Sequence, residues 1–385
     1  MATSWGRIGL LYGIGVLAAG QLGIVPPLVP ILQRDLGLPL TAAGLTVSIL
    51  TLVGAVLGLP AGAWSERIGH ARALSIGILI MASAAALCAA ADDATTLIAA
   101  RGWAGVGYLL VAVAAPSLLA RIAAPQHQAV ALSLWGTFVP VGIALAGMLT
   151  ASFAGHSSWR TIFAGDGVLL ALVLIVAIVA APEVGASRST ERPAPTGSLR
   201  TALPLSLAFF CFALLFLALA GLLPSYLVEN RGLATGEAGR IVAIVTAFGI
   251  VGSFAAGWLM RRGVSPGRLM AVGLITSTAL AALSFTAAVP LLPAVVCLGL
   301  SFALGGLVPA ATFASVPLVA GDVKAIGLTN GLIAQAGSLG SLAGPPVLAL
   351  WIEWAGWPLA PVLLLLIALV GAACALAIQL TGRRA

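Results

Sequence analysis

The sequence predicts an all-α membrane protein of twelve transmembrane helices, arranged as two pseudo-symmetric six-helix bundles. Three observations carry that prediction: an apolar composition, the spacing of its polar breaks, and a repeat between the two halves. Of 385 residues, 61% are hydrophobic and 8% are charged, whereas a soluble domain carries roughly a quarter of its residues as charge. So few polar side chains cannot cover a water-facing surface, and lipid must face most of the chain. The formal net charge is +7, but the basic residues stand singly or in pairs between apolar runs. That placement reads as membrane topology and excludes nucleic acid as a partner.

About 20 apolar residues cross about 30 Å of hydrocarbon, so polar clusters and Pro/Gly turns delimit the spans. Span 1 covers 8–32 after Arg7; it is too long for a cleaved signal segment and has a counterpart in the second half. Span 2 covers 41–63 and stops before Glu66 and Arg67. Asp92 and Asp93 separate span 3, at 73–91, from span 4, at 96–119. Span 5 covers 129–153, and span 6, at 162–181, follows Trp159 and Arg160. Residues 182–202, rich in Pro, Ser and Arg, form the longest polar break and read as a flexible cytoplasmic linker. Spans 7 (203–227) and 8 (238–260) flank Glu229 and Arg231; spans 9 (269–288) and 10 (294–318) flank the prolines at 290 and 293. Spans 11 (326–351) and 12 (361–380) complete the second half. The expected domains are therefore 1–181, the linker, and 203–385.

Cytoplasmic loops retain the excess of Lys and Arg. One side has only Arg34, Arg160, Arg231 and Arg240, while the other receives all remaining loop cations, from Arg7 and Arg67 to Arg383 and Arg384. Both termini and the linker are thereby placed in the cytoplasm, with the protein in a bacterial-type inner membrane.

A shift of 195 residues superposes Gly44 on Gly239, Gly54 on Gly249, Gly62 on Gly257 and Arg67 on Arg262. A shift of 196 matches Gly77 with Gly273 and AVALS at 129–133 with AIGLT at 325–329. Span 2 and span 8 are thus repeat mates. Their small residues, Gly54, Gly58 and Gly62 in one and Gly249, Ser253 and Gly257 in the other, lie four apart on one helical face, and span 11 adds Gly337, Gly340 and Gly344. Such stripes let membrane helices approach closely. They serve either static packing or a seam on which the halves rock.

Between spans 2 and 3 the chain reads Gly62-Ala-Trp-Ser-Glu66-Arg67-Ile-Gly69-His70-Ala71-Arg72. This loop resembles the Gly-x-x-x-Asp-Arg-x-Gly-Arg-Arg/Lys motif of the major facilitator superfamily, with Glu66 in place of Asp and with His70 and Ala71 where basic residues are common. Arg101-x-x-x-Gly105-x-Gly107 and Trp159-Arg160-x-x-Phe163 resemble two further elements of that family. The resemblance covers essentially the whole chain. It implies a secondary transporter that works by alternating access, a conformational latch at Gly62, Glu66, Arg67, Gly69 and Arg72, and a cavity lined by spans 1, 4, 7 and 10 with help from 5 and 11.

The candidates for that cavity are Gln21, Arg101, Tyr108, Trp135, Phe138, Asn330 and Gln335. Arg101 is the one basic residue placed within a span rather than at its mouth. It either ties to Asp92, Asp93 or a backbone carbonyl, or it attracts an anionic substrate or takes part in proton transfer. Tyr108 lies seven residues on, on the same helical face. Gln21 needs hydrogen-bond partners in an apolar setting and suits either a substrate or a neighbouring helix. Asp166, Asp35 and Glu229 are the carboxylates nearest the bundle interior, each read as structural.

The four cysteines, Cys88, Cys211, Cys297 and Cys374, sit in apolar runs without metal or redox spacing, and the three histidines lie in loops. No cofactor, metal site or enzymatic cluster is expected, and no phosphate-binding loop for ATP is present. The expected function is movement of a small organic solute or anion by a monomer in the bilayer, with an aromatic solute among the candidates and a proton or counter-ion as the candidate coupling partner. Drug or metabolite efflux by antiport is the alternative within the family; span 5 matches the antiporter motif only in part, at Gly136, Pro140 and Gly142. A non-transporting sensor or scaffold is the alternative outside it.

Overall fold

The computed structural model describes residues 4–124, 127, 131, 134, 135, 137–154, 156–180, 199–286, 288–320 and 326–382, some helical side chains excepted. Most of the expected linker lies outside the described residues. Each of the twelve apolar runs contains helix. Eleven helical stretches are long and apolar enough to cross a membrane, and a twelfth apolar helix, Phe138–Phe153, is shorter among the described residues.

In span 1, α1 (Trp5–Ile24) and α2 (Val29–Leu36) are separated by a 3₁₀ turn at Pro26–Leu28. Two successive prolines remove two backbone donors, which ends the α-helical ladder there. Span 2 is also divided: α3 (Leu40–Ser48) meets α4 (Leu52–Ile68) through the 3₁₀ turn Ile49–Thr51. Spans 3 to 6 are α5 (His70–Ala89), α6 (Ala94–Ile122), α7 (Phe138–Phe153) and α8 (Trp159–Ala180). In the second half α9 (Leu199–Arg231) is continuous, and span 8 divides at Phe248 into α10 (Thr235–Ala247) and α11 (Gly249–Arg261). The remaining spans are α12 (Pro266–Ser284), α13 (Leu291–Gly305) with α14 (Leu307–Ala320), α15 (Ile326–Ala355) and α16 (Ala360–Gly382).

The chain forms two compact units. The first comprises Met1–Leu38, Ile49–Glu191 and Ala234–Ala243; the second comprises Pro39–Ser48, Arg192–Leu233 and Ile244–Ala385. Segments 39–48 and 234–243 therefore belong to the unit of the opposite half, and both of their boundaries differ by the repeat offset of 195 residues.

Within the first unit α5 packs on α6 and α8, and α1 packs on α6 and α7. A β-carbon added at Gly77 would stand 2.8 Å from the Gly107 carbonyl oxygen, and one added at Gly142 would collide with the carbonyl of Val16. Ile8, Leu11, Leu74, Ile78, Met81, Val111 and Leu118 fill the space between these helices. Gly239 of α10 sits against Pro27 and Ala151, where an added β-carbon would lie 2.8 Å from each side chain.

Within the second unit α9 packs on α15 and α16, α12 on α13 and α16, and α3 on α15. Gly44 of α3 faces Pro345, at 3.1 Å from a would-be β-carbon, and Gly273 faces the Leu304 carbonyl at 3.0 Å. The sequence-matched pairs Gly44/Gly239 and Gly77/Gly273 thus occupy equivalent close contacts in their respective units. Small residues recur there because backbone approach, rather than exclusion of water, draws apolar helices together in lipid.

Candidate functional site

The polar group deepest in the first unit joins three helices. Asp93 starts α6: its side chain accepts from the Thr96 backbone N–H at 2.9 Å and from the Thr96 hydroxyl at 2.7 Å. Those two bonds, the backbone one first, hold the Asp93 carboxyl below its ordinary pKa. Two turns further along, Arg101 is 1% exposed. Its guanidinium donates to the backbone carbonyl of Gln21 and, at 3.3 Å, to the Gln21 side-chain oxygen Oε1. Gln21, also 1% exposed, donates from Nε2 to Asp166 Oδ2 of α8 at 2.7 Å. A cation and a carboxylate are thereby linked through one neutral amide.

Of the ties that the sequence leaves open for Arg101, the structure shows one to a backbone carbonyl, that of Gln21, whereas Asp92 pairs with Arg160 at 3.3 Å on the exposed side and Asp93 caps its helix. Asp166 is the participant whose role the sequence understated. The available signal was chemical: Gln21, Arg101 and Asp166 are hydrogen-bonding residues in three otherwise apolar spans of one half, each needing a partner.

Tyr108, Trp135 and Phe138 form a different group. Tyr108 and Phe138 pack against the apolar cluster that contains Trp135. The Trp135 and Phe138 rings stack with centroids 4.2 Å apart and an interplanar angle of 19°. Trp135 lies over Gly15 of α1, where any β-carbon would collide with the indole. Beside it Tyr12 Oη and Thr137 Oγ1 are 2.9 Å apart. The structure therefore brings Gln21 to Arg101 and Trp135 to Phe138, while Tyr108 packs on the apolar core of the same unit.

In the second unit Gln335 is partly buried on α15, and Asn330 is described by its backbone alone. An aromatic ladder that the sequence reading did not single out runs along α9. Phe209 and Phe212 stack at 5.8 Å, Phe209 meets Phe313 edge-on at 5.6 Å, and Phe216 meets Phe302 edge-on at 5.7 Å. Its signal was the spacing 209, 212, 216, which places three rings along one face of a helix. Glu229, at the end of α9, accepts from Trp357 Nε1 at 3.0 Å.

The expected loop is a single residue, Gly69, because α4 continues through Gly62, Glu66 and Arg67 to Ile68 and Arg72 lies in the first turn of α5; Gly62 and Glu66 are described by their backbone alone, and Arg67 and Arg72 are exposed. Gly69 has φ +92°, a conformation a side chain would strain, and it joins the two helices. His70, 6% exposed, places Nδ1 2.9 Å from Ser65 Oγ, so this residue packs inward where the family motif has a basic one.

The glycine stripes resolve into distinct contacts. Gly54 is buried and Gly58 is partly so. On α11, Gly249 lies near the Phe302 carbonyl, Ser253 Oγ donates to the Gly306 carbonyl at 3.0 Å, and Gly257 has open space where a β-carbon would go. The closest approach on that helix is at Gly252, against the Ala303 carbonyl. Gly337, Gly340 and Gly344 of α15 all face α9, at Phe209, Phe210 and Leu214 of the same unit.

A polytopic helical bundle with polar groups linked inside one of two repeat-related units is the class of a membrane carrier. The chain belongs to the Major Facilitator Superfamily, whose family model matches residues 11–330, and it is a multi-pass membrane transporter of small solutes. It is 25% identical over 310 residues to the gallate transporter of Pseudomonas putida, an alignment covering 70% of this chain and 68% of that one. It is 29% identical over 308 residues to the 3-(3-hydroxy-phenyl)propionate transporter of Escherichia coli K12, covering 76% and 73%. In fold it resembles a bacterial homolog of the human lysosomal transporter Spinster, solved in an inward-facing and occupied conformation, with a TM-score of 0.82, 17% identity and coverage of 97% and 96%.

Proposed function

We propose that this protein is a secondary transporter of small aromatic carboxylates that works by alternating access in the inner membrane. The observation that carries the reading is Arg101, a guanidinium buried in the interior of the first unit, where it donates to the side chain and the backbone carbonyl of Gln21. A positive centre in a low-dielectric interior attracts an anion far more strongly than one in water. The two relatives above are named for acids that join an aromatic ring to a carboxylate, and the rings of Trp135 and Phe138 offer a face for such a group.

The two bodies that exchange access follow residues 1–181 and 203–385, joined by the linker at 182–202, with segments 39–48 and 234–243 exchanged between them. The junction of α4 and α5, with Gly62, Glu66, Arg67, Gly69 and Arg72, is the brace that favours one state. Both termini lie in the cytoplasm, the working unit is a monomer, and no chemical conversion of the solute takes place. Any directional bias comes from different affinities of substrate and coupling ion for the two states.

Uptake of gallate and 3-(3-hydroxyphenyl)propionate into proteoliposomes tests this. Arg101→Ala is expected to lower uptake of both acids by about 100-fold, the scale of a lost charge-assisted contact, with Arg101→Lys recovering part of it. Full uptake of the acids by Arg101→Ala removes Arg101 from the substrate site.

A further inference from the structure

We infer that Phe209, Phe212 and Phe216 of α9, with Phe302 and Phe313 beside them, form a surface of the second unit that binds the aryl ring of the transported acid and sets the preference for aromatic over saturated solutes. The inference rests on the reading of the chain as an aromatic-acid transporter and adds the residues of the second unit that recognise the ring.

The first argument is one of exposure. Among the membrane-length stretches, the one formed by α9 is the most deeply buried. From Ala208 to Leu227 the residues that are not buried are Phe209, Phe210, Phe212 and Phe216, so every opening in that stretch of the helix is a phenylalanine. Ser225, a polar residue, is fully buried in the same stretch. Phenylalanine is among the residues most often buried outright, and a helix that hides a serine while leaving rings partly open is not sorted by polarity alone. Positions 209, 212 and 216 are three and four apart and lie on one helical face.

A lipid-facing surface in this protein has a different character. The least buried span is α8, which exposes Val168, Leu172, Ile175 and Val179 by 57–82%, a wide aliphatic face. The open strip of α9 is narrow and aromatic, on a helix that packs against α13, α14, α15 and α16. The Phe209 ring stands against Gly337 of α15, where a β-carbon would lie 2.6 Å from it.

The rings are also set in geometries that suit one more ring. Phe212 lies 5.8 Å from both Phe209 and Phe216, at interplanar angles of 29° and 32°. Edge-on partners stand at either end of the row: Phe302, which is buried, meets Phe216 at 86°, and Phe313, which is 49% exposed, meets Phe209 at 68°. Aromatic pairs favour offset-stacked and edge-to-face contacts because the ring face is negative and the edge positive. A row already held in both geometries offers them to a solute ring without the cost of ordering side chains. A saturated ring of similar size is thicker and lacks that charge pattern, so it gains only from area. Phenylalanine rings carry no conventional donor or acceptor, and the surface therefore reads the aryl part of a solute and leaves the carboxylate to other residues.

Binding of a matched pair of acids to purified full-length protein in nanodiscs tests the inference: 3-phenylpropionate, and 3-cyclohexylpropionate, which has the same chain and charge but a saturated ring. Wild type should prefer the phenyl acid. The ratio of the two dissociation constants should shrink by about 2- to 10-fold in Phe212→Leu and in Phe216→Leu, while Phe212→Tyr, which keeps the ring, should preserve it. A role in packing alone weakens both acids alike and leaves the ratio unaltered, so an unchanged ratio in both leucine variants overturns the inference and leaves the aromatic-acid reading in place. Equal affinity of wild type for the two acids does the same, and is the behaviour of an apolar face covered by lipid chains. Should the two leucine variants fail to fold, Phe313→Leu, at a half-exposed position, supplies the same comparison. Absence of binding by 3-phenylpropionate, 3-(3-hydroxyphenyl)propionate and gallate alike overturns the aromatic-acid reading and the inference with it.

Discussion

Arg101 shows what a single residue requires in a membrane interior. A guanidinium taken out of water is tolerated when its donors are filled, and here the filling comes from both the backbone and the side chain of Gln21. Asp93 meets the same demand at the surface, where its carboxylate satisfies a first-turn N–H of α6 that the helix cannot. Because that bond holds the folded-state pKa of Asp93 below the unfolded value, its contribution is complete above the unfolded pKa of about 3.9 and is lost as pH falls through the folded value. Thermal unfolding followed below about pH 5 should therefore show a shallower acid-side loss in Asp93→Asn than in wild type. Parallel acid limbs would show that the cap is energetically silent.

At the scale of helices, the same residue type has opposite consequences according to what it faces. An alanine at Gly252 drives its β-carbon into the Ala303 carbonyl, and overpacking of this kind costs about 1–3 kcal/mol. An alanine at Gly257 meets open space and gains about 0.5–1 kcal/mol of helix propensity. The two variants, assayed by thermal stability in detergent, should separate in sign. A second element-scale device is the clasp on α3. The Thr41 backbone N–H donates to Glu353 Oε1 at 2.8 Å, and the Thr41 hydroxyl donates to the other carboxylate oxygen. This carboxylate satisfies first-turn donors of α3 and opposes the helix dipole, so α3 is held to α15 by a polar bond at one end and by the Gly44–Pro345 approach further along. Replacing Glu353 by alanine is expected to cost about 1 kcal/mol in that docking. The readout is a roughly fivefold faster thiol labelling of a cysteine placed at Leu40, and unaltered labelling would mean that the clasp does not hold the segment.

For the whole molecule, the bias of Lys and Arg toward alternate loops predicts orientation. A reporter that is active only in the cytoplasm should work when fused after Ala385 and fail in the loop after Gly232; the reverse pattern would invert the topology. The duplication carries the mechanism a step further. Segments 39–48 and 234–243, equivalent under the repeat, each belong to the unit of the other half, and both are held by glycine approach, at Gly44 in one and at Gly236 and Gly239 in the other. The Glu353 clasp is an addition to the first of them.

Much of the fold was legible because membranes impose one-dimensional rules. The length of an apolar run sets whether a helix can cross, and loop charge sets its direction. The glycine pairs 44/239 and 77/273 were legible for a related reason: close backbone approach tolerates only the smallest side chain, so the duplicated contact preserves the duplicated letter. The candidate site was legible in part. Arg101 and Gln21 were conspicuous as polar residues in lipid, but Asp166 is 145 positions from Gln21, and no local pattern links residues so far apart. The aromatic ladder on α9 escaped because rings in apolar helices are ordinary packing until their partners, Phe302 and Phe313, are known.

The chain by itself determined that it spans the bilayer about twelve times, that its halves are copies, and that a few polar residues must find partners within. It did so because burial of backbone and charge in hydrocarbon is costly enough to constrain nearly every letter. Only the tertiary structure decided which partners those are: Gln21 between Arg101 and Asp166, Glu353 on Thr41, and the α15 glycines on α9. Those pairings depend on how helices rotate and slide against one another, a choice made by the shapes of distant side chains and invisible to any periodicity along the chain.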